Sequence, residues 1–133
     1  MRTAAWLLPA LAMLAACTGS APRERETTDR DRYLEYAGEP INNFSYYGRI
    51  HGWRPLGRNQ LVVWARANDP NLLTVAPGCL QLDSASQIAL TSRMGNWVTI
   101  HTDEVRVGGD GCRITEIRKI DEQKMKAEAR SEG

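Results

Sequence analysis

The sequence predicts a mainly β fold: a small antiparallel sheet, curled into a barrel or a sandwich, with minor short helices and one disulfide. Three observations predict it. Short runs of β-branched and aromatic residues follow one another closely, turn signals of Gly, Pro, Asn and Asp separate them, and helical periodicity is scarce. The 133 residues have room for one domain, which we expect to span residues 33–121.

The first predicted strands lie between residues 41 and 75. Residues 41–47 follow a Gly-Glu-Pro sequence and place Phe44 and Tyr46 on one face at period two. Residues 61–64 form a continuous apolar run, which suits a central strand covered on both faces. Residues 72–75 follow after an Asp-Pro-Asn turn signal, so the two runs are expected to form a hairpin.

The later strands are predicted from the same alternation. Residues 97–101 place two β-branched residues on one face, and residues 105–107 repeat the pattern. A Gly-Gly-Asp-Gly turn then leads to Cys112. Residues 113–120 break period two, which predicts a bulge or a short edge strand.

Helix is expected only at the two ends of the domain. Asp31 is suited to cap a brief turn over residues 33–37. Residues 122–130 place opposite charges four positions apart but carry no apolar stripe. We therefore expect residues 122–133 to be a charged tail with at most a frayed helix.

The first 16 residues have the pattern of a secretory signal peptide. Arg2 supplies a positive charge, residues 4–16 carry no charge, and small residues close the stretch. Its thirteen residues are too few to span about 30 Å of hydrocarbon, which takes about 20 residues of helix. Residues 1–16 are therefore expected to direct export and to be removed.

The leader ends in Leu-Ala-Ala-Cys, which resembles the bacterial lipobox that precedes a lipidated cysteine. The resemblance implies that Cys17 receives a diacylglycerol on its thiol and a further chain, such as palmitate, on its new amino terminus. The alternative is a chance cysteine after an ordinary signal peptide, left as an odd thiol in an oxidising compartment. Residues 17–32 are polar and charge-alternating, so we expect this lipid anchor to lead into a flexible stalk.

These features predict that the chain is exported to the envelope of a Gram-negative-type bacterium. Membrane lipid, held through the acylated Cys17, is then its expected partner. Asp after the cysteine implies inner-membrane retention in such lipoproteins, so Thr18 implies the inner leaflet of the outer membrane, facing the periplasm. Removing the leader takes away one of the 17 basic residues, Arg2, and leaves 16 against 16 acidic ones. Since binding to phosphates needs a clustered basic excess, nucleic acid is not expected as a partner.

Two cysteines remain after the anchor, and Cys79 with Cys112 is expected to form a disulfide, as an even pair in an exported domain usually does. Free thiols and a zinc site that adds His51 and His101 are the alternatives. No pair of ligands stands at the spacing of a metal motif, so we expect neither a metal nor a cofactor.

Catalytic signals are weak. The chain has no Gly-x-Ser-x-Gly motif, and Asp103 and Glu104 point to opposite faces if they lie on a strand. His51 and His101 have the right chemistry for an acid–base pair, but nothing in the sequence brings them together. No residue is therefore assigned a catalytic role.

One resemblance covers nearly all of residues 33–121. In order, the matching pieces are Tyr33-x-x-Tyr36-Ala37-Gly38-Glu39-Pro40, Gly52-Trp53-x-x-Leu56-Gly57, Leu61-Val62-Val63-Trp64, Leu72-Leu73, Cys79-x-x-Leu82, Ile88-x-Leu90-Thr91-Ser92, Asp103-x-Val105 and Cys112-x-Ile114-x-x-Ile117-Arg118. This set resembles a family of uncharacterised proteobacterial lipoproteins that carry the domain of unknown function numbered 6491. The resemblance implies export and lipidation, and it supplies no catalytic residues.

The function expected from these observations is non-enzymatic: a binding or accessory module that faces the periplasm, with an envelope protein as a candidate partner. The alternative is a small envelope hydrolase that uses His51 and His101. Most of the aromatic residues are expected in the core. A subset exposed together would instead indicate a surface for a carbohydrate, a peptide or a protein.

Overall fold

The computed structural model describes residues 22–79, 82 and 84–132. The predicted signal peptide, Cys17 and the start of the predicted stalk lie outside these residues. Within them the chain forms the following elements: α1 (Pro22–Glu35), β1 (Ala37–Ile41), β2 (Asn43–Ser45), β3 (Gly52–Pro55), β4 (Gln60–Trp64), β5 (Pro70–Val75), β6 (Ala89–Leu90), β7 (Trp97–Thr99), β8 (Glu104–Val107), β9 (Asp110–Ile120) and α2 (Glu122–Glu132).

Seven strands form one curled antiparallel sheet in the order β3-β4-β5-β9-β8-β6, and β1 pairs with β9 as well. The remaining strands, β2 and β7, form a separate antiparallel ribbon. The predicted mainly β fold with a curled antiparallel sheet is confirmed. The predicted hairpin is present as β4–β5, in which Val62 pairs with Leu72.

The last strand is longer and more central than predicted. β9 pairs with β5 along one edge, and with β8 and β1 along the other. The expected irregularity is present, because the register against β5 shifts between Thr74 and Val75 and leaves Thr115 as the extra residue. The alternative of a short edge strand is wrong, since β9 has neighbours on both sides.

The two faces of the sheet bury different clusters. Leu61, Val63 and Leu73 point to the main cluster, which the ribbon covers with Phe44 and Val98. The neighbouring residues of β4 and β5 point the other way, because side chains alternate along a strand. The second cluster contains Tyr33, Leu56, Val62, Leu72, Ile120 and Met125. The molecule therefore has three layers: the ribbon, the sheet and the two helices.

The helices differ from the expectation at both ends. Residues 22–32, part of the predicted flexible stalk, belong to α1, which begins at Pro22, a residue suited to the first turn of a helix. Its last turn is held because Tyr33 is buried and packs edge-on against Trp64, at 6.3 Å between ring centroids. The predicted charged tail forms α2, which packs on the sheet through the buried side chain of Met125. A single large apolar residue does not make a stripe, so the sequence pattern did not indicate this packing.

The predicted disulfide between Cys79 and Cys112 is present and joins β9 to the segment that follows β5. It closes a loop with a sequence separation of 33 residues, and such a loop stabilises a fold by about 3–4 kcal/mol in the chain-entropy model. In the described part of the chain, neither helix is long and apolar enough to cross a membrane.

Candidate functional site

The ribbon β2–β7 presents two different faces. Phe44 pairs with Val98, and both are buried against the sheet. Ser45 pairs with Trp97 one residue further along, so that pair faces outward. The inward face holds the ribbon on the core, which leaves its outward face available for contacts with another molecule.

Three large apolar side chains are exposed at one end of this outward face. Tyr47 is 66% exposed, Met94 63% and Trp97 46%. Tyr47 stands two residues after Ser45, on the side where Ser45 meets Trp97, and Met94 lies in the turn that leads into β7. We call these three residues the aromatic patch. Exposed apolar side chains are ordinary when scattered, but a group of this kind indicates a contact surface.

The neighbouring tyrosine shows why the patch is not simply an unpacked part of the core. The Tyr46 N–H donates to the carbonyl of Asn96 at 2.8 Å, and the Tyr46 side chain is buried in the main cluster. Burial also raises the pKa of its hydroxyl. Because Tyr46 takes the inward position, the next residue, Tyr47, is directed to solvent.

Basic side chains border the aromatic patch. The Arg66 guanidinium lies over the Tyr47 ring, 5.5 Å from its centroid, a cation–π contact. Arg49, His51 and Arg66 together line a cavity of about 430 Å³, along with Ile50 and Ala65. We call Arg49, His51 and Arg66 the basic rim. No carboxylate among the residues that the structure describes forms a salt bridge with either arginine.

The structure does not bring the two predicted histidines together. The backbone N–H of His51 donates to the Trp64 carbonyl, and the backbone N–H of His101 donates to the Ile114 carbonyl, each at 2.8 Å. Across the sheet, Trp64 lies one residue beyond the level of Lys119 in β9. Lys119 and Ile114 are five residues apart along β9, which is about 16 Å of strand. The two carbonyls that the histidines contact are therefore far apart. His101 also adopts the left-handed conformation, with φ of 64°, in an exposed turn after β7. The hydrolase alternative therefore lacks its acid–base pair.

The other polar residues considered from the sequence have structural surroundings. Asp103 is fully buried, and its carboxylate accepts hydrogen bonds from the Thr91 hydroxyl and from the N–H groups of Arg93 and Thr99 at 2.8–2.9 Å. These bonds tie together the strands around it. Nothing in this arrangement leaves the Asp103 carboxylate open to a substrate.

A second cleft, of about 660 Å³, lies beside the disulfide and is lined by Glu104, Asp110 and Arg113 among others. The Glu104 carboxylate occupies the space next to Gly111 that a side chain there would fill. Among the described residues that line the cleft there is no hydroxyl and no free thiol. Within the described ranges, no three His, Cys, Asp or Glu side chains are placed to hold a metal ion.

Sequence reasoning identified the alternation of the ribbon but not which aromatic residues it exposes. Of the aromatic side chains described, Tyr33 and Tyr46 are buried, while Tyr47 and Trp97 are exposed. The signal that could have found the patch was the pair of adjacent tyrosines, because neighbouring residues on a strand cannot both face the core. The basic rim had no sequence signal of its own, since Arg49 and Arg66 are 17 positions apart.

The comparisons with known proteins give one match. The model of a protein family described as "Family of unknown function (DUF6491)" matches residues 1–133. No curated protein and no solved structure matches the chain.

Proposed function

The chain belongs to the DUF6491 family, whose function is unknown, and from that premise we propose that it is a protein-binding module of the bacterial envelope. A lipid on Cys17 tethers it to a membrane, and its β domain extends into the periplasm. The aromatic patch on the β2–β7 ribbon contacts an envelope protein. The module performs no catalysis.

The observation that carries this proposal is the composition of the exposed face. Tyr, Trp, Met and Arg are enriched at the cores of protein interfaces, whereas Lys, Asp and Glu are depleted there. The aromatic patch and the basic rim consist of the enriched types, with His51 as the one addition. Trp, Tyr and Arg are also the residues that most often dominate the free energy of binding.

The proposed location in the bacterial envelope depends on the amino-terminal sequence. A charged start, an uncharged stretch and the Leu-Ala-Ala-Cys sequence support export and lipidation at Cys17. Thr18 in place of Asp supports the outer membrane as the destination. A tethered module needs only modest affinity, because the anchor confines it to the same compartment as its partner.

Site-specific crosslinking tests the proposal in intact cells. A photoreactive phenylalanine analogue at Met94, inside the patch, is expected to yield a discrete adduct with another protein. The double substitution Tyr47→Ser and Trp97→Ser should weaken the interaction about 30-fold or more and thereby reduce that adduct, since truncating a dominant contact residue costs about 2 kcal/mol or more.

The same analogue at Gln123, an exposed position on α2 at the opposite side of the sheet, is the matched control. It should give no adduct of the same mass. The proposal fails if Met94 and Gln123 give identical adduct patterns, or if the adduct at Met94 persists after both aromatic side chains are removed.

A further inference from the structure

We propose that the partner meets this surface through an acidic segment. The arginines of the basic rim bind its carboxylates, and one of its apolar side chains packs on Tyr47 and Trp97. This inference rests on the proposed function and adds the chemical class of the partner.

Charge is segregated along the sequence around this surface. Between Glu39 and Asp69 the chain contains four arginines, no acidic residue and no lysine. Between Asp83 and Asp103 it contains Arg93 and again no acidic residue. The first stretch includes β2, β3 and β4, and the second includes β6 and β7. The ribbon is therefore built from the two long stretches of the domain that carry no negative charge.

The fold brings part of this charge to one place and leaves it unpaired. Arg49 and Arg66 line the same cavity beside the aromatic patch. Of the described arginines, Arg54, Arg106 and Arg118 have a carboxylate within salt-bridge distance, whereas Arg49 and Arg66 are among those that have none. Arg66 is further held by the Tyr47 ring, so less conformational freedom is lost when it binds an anion. A partner that brings carboxylates supplies the counter-charge that the described part of this chain does not.

The side-chain types favour carboxylates. Arginine presents a planar fork of donors that matches a carboxylate with two parallel hydrogen bonds, whereas lysine acts as a point charge. All three lysines of the chain, Lys119, Lys124 and Lys126, lie in β9 and α2. The surface therefore uses arginine and His51 as its donors.

The layer order favours a protein over the membrane to which the chain is anchored. The stalk enters the domain through α1, and the helices cover the sheet face opposite the ribbon. The aromatic patch thus lies on the opposite side of the sheet from Tyr33 and Met125, through which the two helices pack. Membrane-binding patches also use clusters of about four to eight basic residues, and the basic rim has only two arginines.

Two fluorescent peptides of equal length test this inference by anisotropy, with the protein purified as the cell makes it, in mild detergent. Both contain the same Tyr and Leu residues, and the other positions are glutamate in one and lysine in the other. The glutamate peptide is expected to bind about tenfold more tightly than the lysine peptide. Raising the salt concentration should weaken this binding, because salt screens the attraction between complementary charges.

Charge-reversing substitutions test whether the basic rim causes the preference for the glutamate peptide. The double substitution Arg49→Glu and Arg66→Glu should weaken binding of the glutamate peptide about tenfold or more. The double substitution Arg49→Gln and Arg66→Gln should weaken binding of this peptide less. The difference between the two variants separates the loss of positive charge from the repulsion by added negative charge. Arg130→Glu is the matched control, because this exposed arginine lies on α2 and should leave binding unchanged. Circular dichroism checks that each variant is folded.

The inference is overturned if the two peptides bind equally, or if charge reversal at the rim has no more effect than at Arg130. It is also overturned if phosphatidylglycerol vesicles bind in a rim-dependent way and the glutamate peptide does not, since the surface then meets a membrane. A patch-dependent adduct at Met94 without a preference for glutamate leaves the proposed function standing and removes only the acidic partner.

Discussion

Asp103 shows how a single residue organises the part of the domain that carries the ribbon. It has no solvent exposure, and three donors reach its carboxylate. Its own N–H donates to the Thr99 carbonyl at 3.0 Å, and its carbonyl accepts from the Ile114 N–H at 3.1 Å. A buried charge is tolerated only when hydrogen bonds replace the lost water. Asp103 therefore fixes where β7 ends and where β8 begins.

Replacing this residue gives the first stability prediction. Asp103→Ala removes the acceptor of three partly buried hydrogen bonds, from the Thr91 hydroxyl and from the backbone N–H groups of Arg93 and Thr99, so we expect it to lower the free energy of unfolding by about 3 kcal/mol. Asp110→Ala, at an exposed position on β9, is the control and should change it by about 0.5 kcal/mol or less. Urea unfolding measures both, and a loss below about 1 kcal/mol for Asp103→Ala would contradict the structural role.

At the level of elements, α2 is held on the sheet by a small set of contacts. Met125 is buried in the second cluster. The Trp64 indole N–H donates to the Glu122 carboxylate at 2.6 Å, and the Lys126 ammonium lies 2.6 Å from the other Glu122 oxygen. The Tyr36 hydroxyl donates to the Glu128 carboxylate. These contacts explain why a segment with little apolar character still forms a docked helix.

Electrostatics make this docking dependent on pH. Partial burial raises the pKa of Glu122, but the hydrogen bonds from Lys126 and Trp64, with the charge of Lys126, outweigh it and hold the pKa below its usual 4.5. The unfolded chain therefore takes up a proton at a higher pH than the folded one does. The stability from Glu122 is fully present above pH 4.5 and is lost as the pH falls through the lowered pKa.

Glu122→Gln tests this dependence. At neutral pH the substitution should lower the free energy of unfolding by about 1 kcal/mol, because it removes a charge-assisted hydrogen bond and an i,i+4 ion pair. At acid pH the difference from the unchanged protein should shrink toward zero. Urea unfolding across the acid range measures it, with the exposed Glu39→Gln as the control. A difference that stays constant with pH would rule out the linkage.

For the whole molecule, the three layers separate two kinds of surface. The helices carry acidic and basic side chains in nearly equal numbers, whereas the ribbon side carries the aromatic patch and the basic rim. An acidic partner is thus attracted to the ribbon side, where the described arginines of the rim have no carboxylate in salt-bridge distance. The net charge of the full chain, only +1, conceals this local concentration of positive charge.

The anchor is tested on the whole chain. Cys17→Ser removes the thiol that we propose accepts the diacylglycerol, so an uncleaved precursor without added acyl mass is expected to accumulate. Thr18→Ala, one residue later, should be processed and acylated normally. Mass measurement of the membrane-extracted protein and labelling with palmitate report the outcome, and normal maturation of the Cys17→Ser chain would refute the proposed tether.

Several features of this protein were predictable from local sequence. The strand β4 was visible as the apolar run 61–64, and the β4–β5 hairpin as two such runs around a turn signal. The disulfide followed from an even number of cysteines after the predicted leader and anchor. Each of these inferences depends on neighbouring residues or on counting, which the sequence contains in full.

The helices were less predictable because their stability is not local. α1 and α2 lack apolar stripes, and each packs through a residue, Tyr33 or Met125, whose burial depends on sheet positions far away in the chain. Propensity and charge spacing alone favour neither a docked helix nor a frayed one. Only the packed sheet supplies the apolar surface that decides between them.

The sequence by itself determined the class of fold, the disulfide pair and the patterns from which an address is proposed, because these follow from periodicity, residue counts and contiguous motifs. The tertiary structure decided which aromatic residues face solvent and which arginines meet beside them. Tyr47 and Trp97 lie 50 positions apart, as do His51 and His101. Strand pairing places the first pair at one end of a ribbon, whereas His51 lies beside Trp64 of β4 and His101 beside Ile114 of β9.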